Sequence, residues 1–266
     1  MNEFLQSLFP ALLAATLLAL LALRKKALTR GGLMLAWLLA VVIGLCGGMG
    51  AFAALAATFL CTIIAGKLSG KTGAAIGSAL HAKTGRRDAQ QIMCNVFVGA
   101  LMLLFLALTN RRIFLWAYGG AMAASLSDSM ASELGVLSRR TPRDICTLRF
   151  VEKGLSGGVT ALGLGASLLG GAIIGGICAL AWDGWGMFLS IAAAGFFAAV
   201  CDSVLGSRFQ AKYRCARCGA LTEKPLHCDT PATLERGARF VTNDAVNFIN
   251  NVIGALAAAG LYCLHF

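Results

Sequence analysis

The sequence predicts an all-α fold: a polytopic membrane bundle of about eight transmembrane helices, with both termini outside the cytoplasm. Three observations carry this. Hydrophobic residues fill 58% of the 266 positions and charged residues only 13%, at a mean hydropathy of +0.76; this excludes an ordinary soluble enzyme and extended disorder alike. The apolar residues come in unbroken runs without alternation, which disfavours a lipid-facing β-barrel. Thirty-two glycines against four prolines suit helices whose backbones approach closely in lipid.

Runs near the roughly 20 residues needed to span the hydrocarbon core fall at 4–23, 33–48, 49–66, 93–108, 113–126, 159–182, 186–200 and 245–264. The first carries its basic cluster, Arg24, Lys25, Lys26 and Arg30, behind the apolar stretch, so it reads as a retained anchor and not as a signal peptide. The second and third meet at Cys46-Gly47-Gly48-Met49-Gly50, a glycine-rich stretch suited to a turn. The fourth follows the polar stretch Arg86-Arg87-Asp88-Ala89-Gln90-Gln91, with Asn95 one turn inside, and the fifth ends at Leu126-Ser127-Asp128. The sixth opens on Lys153-Gly154-Leu155-Ser156-Gly157-Gly158, the seventh runs into Cys201-Asp202-Ser203, and the eighth starts at Asn243-Asp244. The whole of 1–266 is one membrane domain, with 208–242 as its longest loop.

Eight crossings put 21 basic residues on one side and only Arg111 and Arg112 on the other. That imbalance assigns the basic side to the cytoplasm. The net charge of +11 is then a topology signal, and nucleic acid is not needed to explain it. Of the 12 acidic residues all but Glu3 and Asp183 share the cytoplasmic side, so the chemistry is expected to face the cytoplasm from a multi-pass protein of the cell membrane.

Acidic residues near membrane depth cost about 2.5–3.5 kcal/mol on insertion scales and usually face a bundle interior. Asp128, with Glu133 five residues on, and Asp202 fit that description; the recurring Asp-Ser pairs end two runs that cross in the same direction. Either Asp128 belongs to a site, or it caps a helical turn. In the last run Asp244, Asn247 and Asn251 are spaced to share one helix face, as a polar site or as amide glue between helices. The Lys153–Gly158 turn offers a lysine and unpaired backbone donors to phosphate. Ala65-Gly66-Lys67-Leu68-Ser69-Gly70-Lys71-Thr72 nearly meets the P-loop spacing, but it follows an apolar helix where a P-loop follows a strand. Among the ten cysteines, Cys215 and Cys218 form a C-x-x-C unit that His227 and Cys228 complete as a candidate zinc set; unligated thiols are the alternative. Disulfides are not expected in a reducing cytoplasm.

Taken in order, Arg87-Asp88-Ala89-Gln90-Gln91 with Asn95, the Ser127–Gly135 stretch, the Lys153–Gly158 turn, Asp202-Ser203-Val204-Leu205-Gly206 and Asn243-Asp244-Ala245-Val246-Asn247 carry a resemblance. From about Arg30 to its end the chain resembles the integral membrane family that includes transmembrane protein 19 and the plant phytyl-phosphate kinase, itself similar to CTP-dependent phytol and dolichol kinases. The resemblance implies transfer of the γ-phosphate of CTP to a prenyl monophosphate, giving a diphosphate. Such chemistry needs Mg²⁺, for which Asp128, Glu133, Asp202 and Asp244 are the candidate ligands, and phosphate contacts, for which Lys153, Ser156, Gly157, Gly158, Asn243, Asn247, Asn251, Arg87 and Asn95 are the candidates. The rival is a transporter or lipid translocator, whose polar residues would line a path near the midplane; here they cluster at one end of the helices.

Overall fold

The computed structural model describes residues 2–80 and 85–265, so part of the Lys67-to-Ile92 polar stretch, 81–84, lies outside the described residues. The chain forms α1 (Asn2–Arg24), α2 (Arg30–Leu80), α3 (Ala89–Thr109), α4 (Ile113–Gly135), α5 (Ala161–Cys178), α6 (Gly184–Arg208) and α7 (Asn243–His265). Among the described residues five helical stretches are long and apolar enough to cross a membrane: Arg30–Ser78, Ala89–Thr109, Ala161–Trp182, Gly184–Arg208 and Asn243–Leu264. The helical membrane class expected from composition is what the chain adopts.

The second and third apolar runs both lie in α2, which is broken at Gly48 (φ 68°) and Gly70 (φ 54°). Both glycines occupy the left-handed region closed to most side chains. At Gly48 the chain reverses. Eight residues of unbroken helix rise about 12 Å, yet a Cβ on Gly44 would sit 3.8 Å from the Phe52 ring. The limb 30–47 begins beside Arg87, where Thr29 N–H donates to the Arg87 carbonyl (3.0 Å) and Arg87 N–H to the Ala27 carbonyl (2.9 Å). The limb 49–69 starts near Ala181 and ends against Glu133. Beyond Gly70 a short helix, 71–80, lies against the 154–158 loop through Ile76.

α4 is the centre of the bundle. Its residues from Leu115 to Ser127 are all buried, which is why no single apolar stripe can be read along it. Small residues make this possible. Gly170 of α5, Gly195 of α6 and Gly254 of α7 press on α4 at Ser127, Ala123 and Gly120. The outer surface carries exposed Met34, Leu108, Leu162, Leu169 and Leu256, apolar in the manner of a lipid-facing wall.

Several helices outrun the apolar stretches that predict them. α4 continues nine residues past Leu126, so Asp128 and Glu133 are helical residues and not part of a loop; α6 continues to Arg208 and takes Asp202 with it. The all-α reading also omits two small antiparallel sheets. β1 (Arg143–Asp144) pairs with β2 (Gly158–Val159). In the 208–242 loop, β3 (Lys212–Cys215), β4 (Leu221–Thr222), β5 (Leu226–His227) and β6 (Thr230–Arg236) form a four-stranded sheet of order β4-β3-β6-β5.

Candidate functional site

At the basic end of the bundle the helices diverge around a cavity of about 740 Å³. Eleven of the thirteen residues singled out above line it: Asp128, Glu133, Asp202 and Asp244, with Arg87, Asn95, Ser156, Gly157, Gly158, Asn243 and Asn247. They come from α3, α4, α6, α7 and two loops, so only the tertiary fold brings them together.

Each is held for a local reason. Asp88 caps α3 in a reciprocal box, its Oδ1 accepting from Gln91 N–H (2.9 Å) while Gln91 Oε1 accepts from Asp88 N–H (3.1 Å). That cap and the backbone pairing to the α1–α2 link set Arg87 at the cavity wall. Burial lowers the Arg87 guanidinium from its ordinary value while the nearby charges of Glu133 and Asp128 pull it back up. It stays cationic. Among the described residues Arg87 is the one basic side chain in the lining. Glu133 Oε2 accepts from the Ser69 hydroxyl (2.8 Å), in space left by Gly66 and Gly73. Asn95 joins α3 to α4, donating to the Gln91 carbonyl (2.8 Å) and accepting from the Ser125 hydroxyl (3.2 Å).

Asp202 is the unusual member. Its Oδ2 is enclosed without a hydrogen-bond partner, and Asp128 and Glu223 lie within electrostatic reach. A carboxylate oxygen buried this way, beside other carboxylates, is suited to a cation.

Two expectations are corrected. Lys153 does not reach the cavity; its Nζ donates to the Ser138 carbonyl, because the turn points it back at the α4–β1 link. Asn251 lies a turn deeper than Asn247 and donates to the Cys94 (2.8 Å) and Asn247 (3.0 Å) carbonyls, which makes it interhelical glue. The near-P-loop string lies across the helix break at Gly70, with its serine bound to Glu133 and no strand before it.

The glycine-rich turn serves packing as well as lining. A Cβ on Gly157 (φ 88°) would lie 2.6 Å from Ser207 Cα, so any larger residue would separate the turn from the end of α6. The start of α5 is already capped, Thr160 accepting from Gly163 N–H (3.0 Å). The buried Lys212 ties the turn down through the Ser156 carbonyl (2.7 Å).

Asp144 anchors the same region. Its Oδ2 accepts from the Ser207 hydroxyl (2.7 Å) and its Oδ1 from the N–H groups of Cys146 (3.0 Å) and Thr147 (2.8 Å) and the Thr147 hydroxyl (3.0 Å). Burial alone would raise this carboxyl, but the bonds outweigh it and hold it below the ordinary range. Its contribution is therefore present above the unfolded value of about 3.9 and is lost as pH falls through the lower folded value. Asp144→Ala is expected to cost about 2 kcal/mol at neutral pH and to lose less stability than the parent on acidification. Unfolding curves at neutral and acid pH check this; parallel losses in the two proteins would remove the assignment.

Sequence reasoning missed Glu223. It lines the cavity, its Oε1 accepting from the Ser156 hydroxyl and from Ser156 N–H (3.3 Å). The arm that carries it is fixed to α2 by Thr222 and Glu223, whose hydroxyl (3.0 Å) and N–H (2.9 Å) donate to the Leu80 carbonyl. Below that arm the candidate zinc residues gather: one ligand atom each from Cys215, Cys218, His227 and Cys228 lie within 4.8 Å of one another. Hydrogen bonds, chiefly from Cys218 N–H, bring the Cys215 thiol down to about 6. None of the ten cysteines forms a disulfide.

A second pocket of about 70 Å³, mostly apolar, lies among α1, both limbs of α2, and α3, and shares Arg87 and Asn95 with the main cavity.

Comparison with known proteins agrees with the membrane architecture. The chain is 29% identical over 257 residues, 94% of its length and 89% of the relative's, to an uncharacterized membrane protein of Synechocystis. It is 29% identical over 172 residues to an uncharacterized membrane protein of Methanocaldococcus jannaschii, covering 64% of this chain and 61% of that one. With Protein PGR of Arabidopsis thaliana it shares 28% identity over 198 residues, 62% of this chain and 66% of the relative. No solved structure matches. The family described as Integral membrane protein DUF92 matches residues 13–255, so it takes in about half of the first helix as well as the five motifs, and the chain belongs to that family.

Proposed function

We propose that the cavity is the active site of a membrane kinase, which moves the γ-phosphate of CTP or another nucleoside triphosphate onto a prenyl monophosphate to give the diphosphate. The observation that carries this reading is the convergence of Asp128, Glu133, Asp202 and Asp244 with Arg87 in one cavity at the basic end of the bundle. The motif resemblance to phytyl-phosphate kinase supports it. In the transfer the bond between the β–γ bridging oxygen and the γ-phosphorus breaks, its electron pair leaving on the nucleoside diphosphate. An oxygen of the prenyl phosphate forms the new P–O bond. The acceptor is already anionic, so no general base is required, and positioning and charge neutralisation are the work that remains.

The residues present fit a divalent cation, as the unpartnered Asp202 Oδ2 indicates. Asp128, Glu133, Asp202 and Asp244 would hold Mg²⁺, which when bound neutralises triphosphate charge. Arg87 offers a planar fork of donors to phosphate oxygens, and its neighbours Glu133 and Asp128 keep that fork facing the cavity. Asn243 and Asn247 add amide donors. The apolar pocket sharing Arg87 and Asn95 is the place for the first part of the prenyl tail, leaving its phosphate at Arg87. Purified protein supplied with Mg²⁺, prenyl monophosphates and each of CTP, ATP, GTP and UTP is expected to form a prenyl diphosphate. Folded protein yielding none with any nucleotide would overturn the reading and return transport or lipid translocation as the alternative.

In this reading the cavity faces the cytoplasm, and eight crossings leave both termini on the opposite side. A reporter fused after Phe266 is expected to register the outside. A cytoplasmic signal there would sink the eight-crossing topology.

A further inference from the structure

β3 ends at Cys215, and the turn after it is closed by Gly219 N–H donating to the Cys215 carbonyl (2.9 Å) and by Cys215 N–H donating to the Ala220 carbonyl (3.0 Å). Gly219 sits at φ 71°, so the chain doubles back and turns the Cys218 side chain toward Cys215. The chain returns through β5 to His227 and Cys228. Adjacent residues ordinarily point apart, but Cys228 (φ 54°) and Asp229 (φ 57°) both take left-handed backbone, rare for cysteine. This tight turn brings His227 and Cys228 to one centre. His227 Nδ1 lies 3.5 Å from Cys218 Sγ and 3.3 Å from Cys228 Sγ. Ligand atoms around a tetrahedral zinc, at bonds of about 2.0–2.3 Å, are roughly 3.5–4 Å apart. The four side chains need little movement to reach that spacing, whereas a Cys215–Cys218 disulfide would leave a thiol and an imidazole idle.

The arm between Cys218 and His227 carries Glu223 into the cavity beside Ser156. Along its length the arm is held by β4 on β3 and β5 on β6, by the Leu80 carbonyl, which receives Thr222 and Glu223, and by Lys224, whose amine donates to the Ser78 carbonyl; the ligand pairs close its two ends.

We propose that Zn²⁺ bound by Cys215, Cys218, His227 and Cys228 pins both ends of this arm and thereby holds the Glu223 carboxylate in the cavity as part of its cation-binding set. The zinc site stands apart from the kinase reading; the role of Glu223 rests on the cavity binding a divalent cation. Glu223 is thus a site residue supplied by the ribbon formed by β3 to β6, and the zinc ligands are positioning residues.

The full chain, purified in detergent without chelator, is expected to hold one zinc. Cobalt exchanged into it should show the visible bands of a tetrahedral thiolate site, and Cys218→Ser should abolish both signals. Binding of Mn²⁺ to the cavity is then followed by electron paramagnetic resonance. Stripping zinc from the parent protein with a chelator is expected to weaken Mn²⁺ binding about tenfold, Glu223→Gln to weaken it similarly, and stripping zinc from Glu223→Gln to add almost nothing. Chelation uses the parent chain, so a Cys218→Ser protein that fails to fold does not decide the matter. Protein that takes up neither zinc nor cobalt overturns the metal site. Zinc whose removal leaves Mn²⁺ affinity unchanged overturns the link to Glu223. A zinc-loaded protein that binds no Mn²⁺ overturns that link together with the kinase reading, and leaves the zinc site standing.

Discussion

Replacing Asp128 or Asp202 with Asn is expected to lower turnover of prenyl monophosphate by about 100- to 1,000-fold in a bundle that stays folded. The substitution keeps the volume and hydrogen-bonding ability of the side chain and removes the charge a divalent cation needs. Its effect on stability separates a functional carboxylate from a structural one. Asp128 and Glu223 both lie within electrostatic reach of Asp202, so without a cation they repel it, and Asp202→Asn should leave the thermal midpoint unchanged or raised; Asp128 also attracts Arg87, so Asp128→Asn is read by turnover and by its response to Mg²⁺. Adding Mg²⁺ should then stabilise the parent by mass action and the variants much less. Paired melting curves with and without Mg²⁺, run beside the turnover assay, read both effects. A variant that melts lower without metal, and responds to Mg²⁺ as the parent does, would show that the carboxylate braces the helices and leave the site unsupported.

The largest expected stability effect lies far from the chemistry, where α4 and α7 cross. A Cβ on Gly254 would lie 2.5 Å from the Gly120 carbonyl oxygen, and one on Gly120 would meet the Gly254 carbonyl oxygen. Backbone atoms cannot swing aside as a side chain can. Gly254→Val and Gly120→Val should therefore force the helices apart, at about 3 kcal/mol or more. Gly260 provides the control: it lies on the same helix with nothing near its missing Cβ, so Gly260→Ala should be neutral or stabilising by up to about 1 kcal/mol through helix propensity. Thermal unfolding in detergent checks both. Equal midpoints for Gly254→Val and Gly260→Ala would contradict a crossing this close.

The apolar runs were legible because every lipid-crossing stretch must be long and apolar, and each run maps onto α1, a limb of α2, or one of α3 to α7. The ends were less so: hydropathy falls at Ser127, but helical hydrogen bonding carries α4 on to Gly135, since polar residues facing a cavity continue a helix as well as apolar ones facing lipid. The carboxylates stood out because a charge inside apolar sequence is costly and rare. Glu223 did not, since it sits among the many charges of an extramembrane segment and its value comes from long-range contacts to Leu80 and Ser156. Lys153 misled for the same reason in reverse. A lysine beside glycines suggests phosphate, but only the fold reveals that its amine is spent on Ser138. The ribbon's strands are two to seven residues long, too short for alternation to stand out.

The position of α4 at the centre of the bundle has a consequence for biogenesis. With its serines and two carboxylates, α4 is not among the helical stretches long and apolar enough to cross a membrane, and in the finished protein α5, α6 and α7 cover much of it. All three are synthesised after it. A nascent chain that has emerged only as far as Gly135 therefore presents a helix poorly suited to lipid, tied to α2 and α3 through Tyr118 and Ser125 but with the faces that α5, α6 and α7 later cover still open. Asp244 and Asn247 arrive with the last of these three, so the cavity lining is complete only once α7 has joined, and chains truncated before Asn243 are expected to leave α4 open to membrane quality-control proteases.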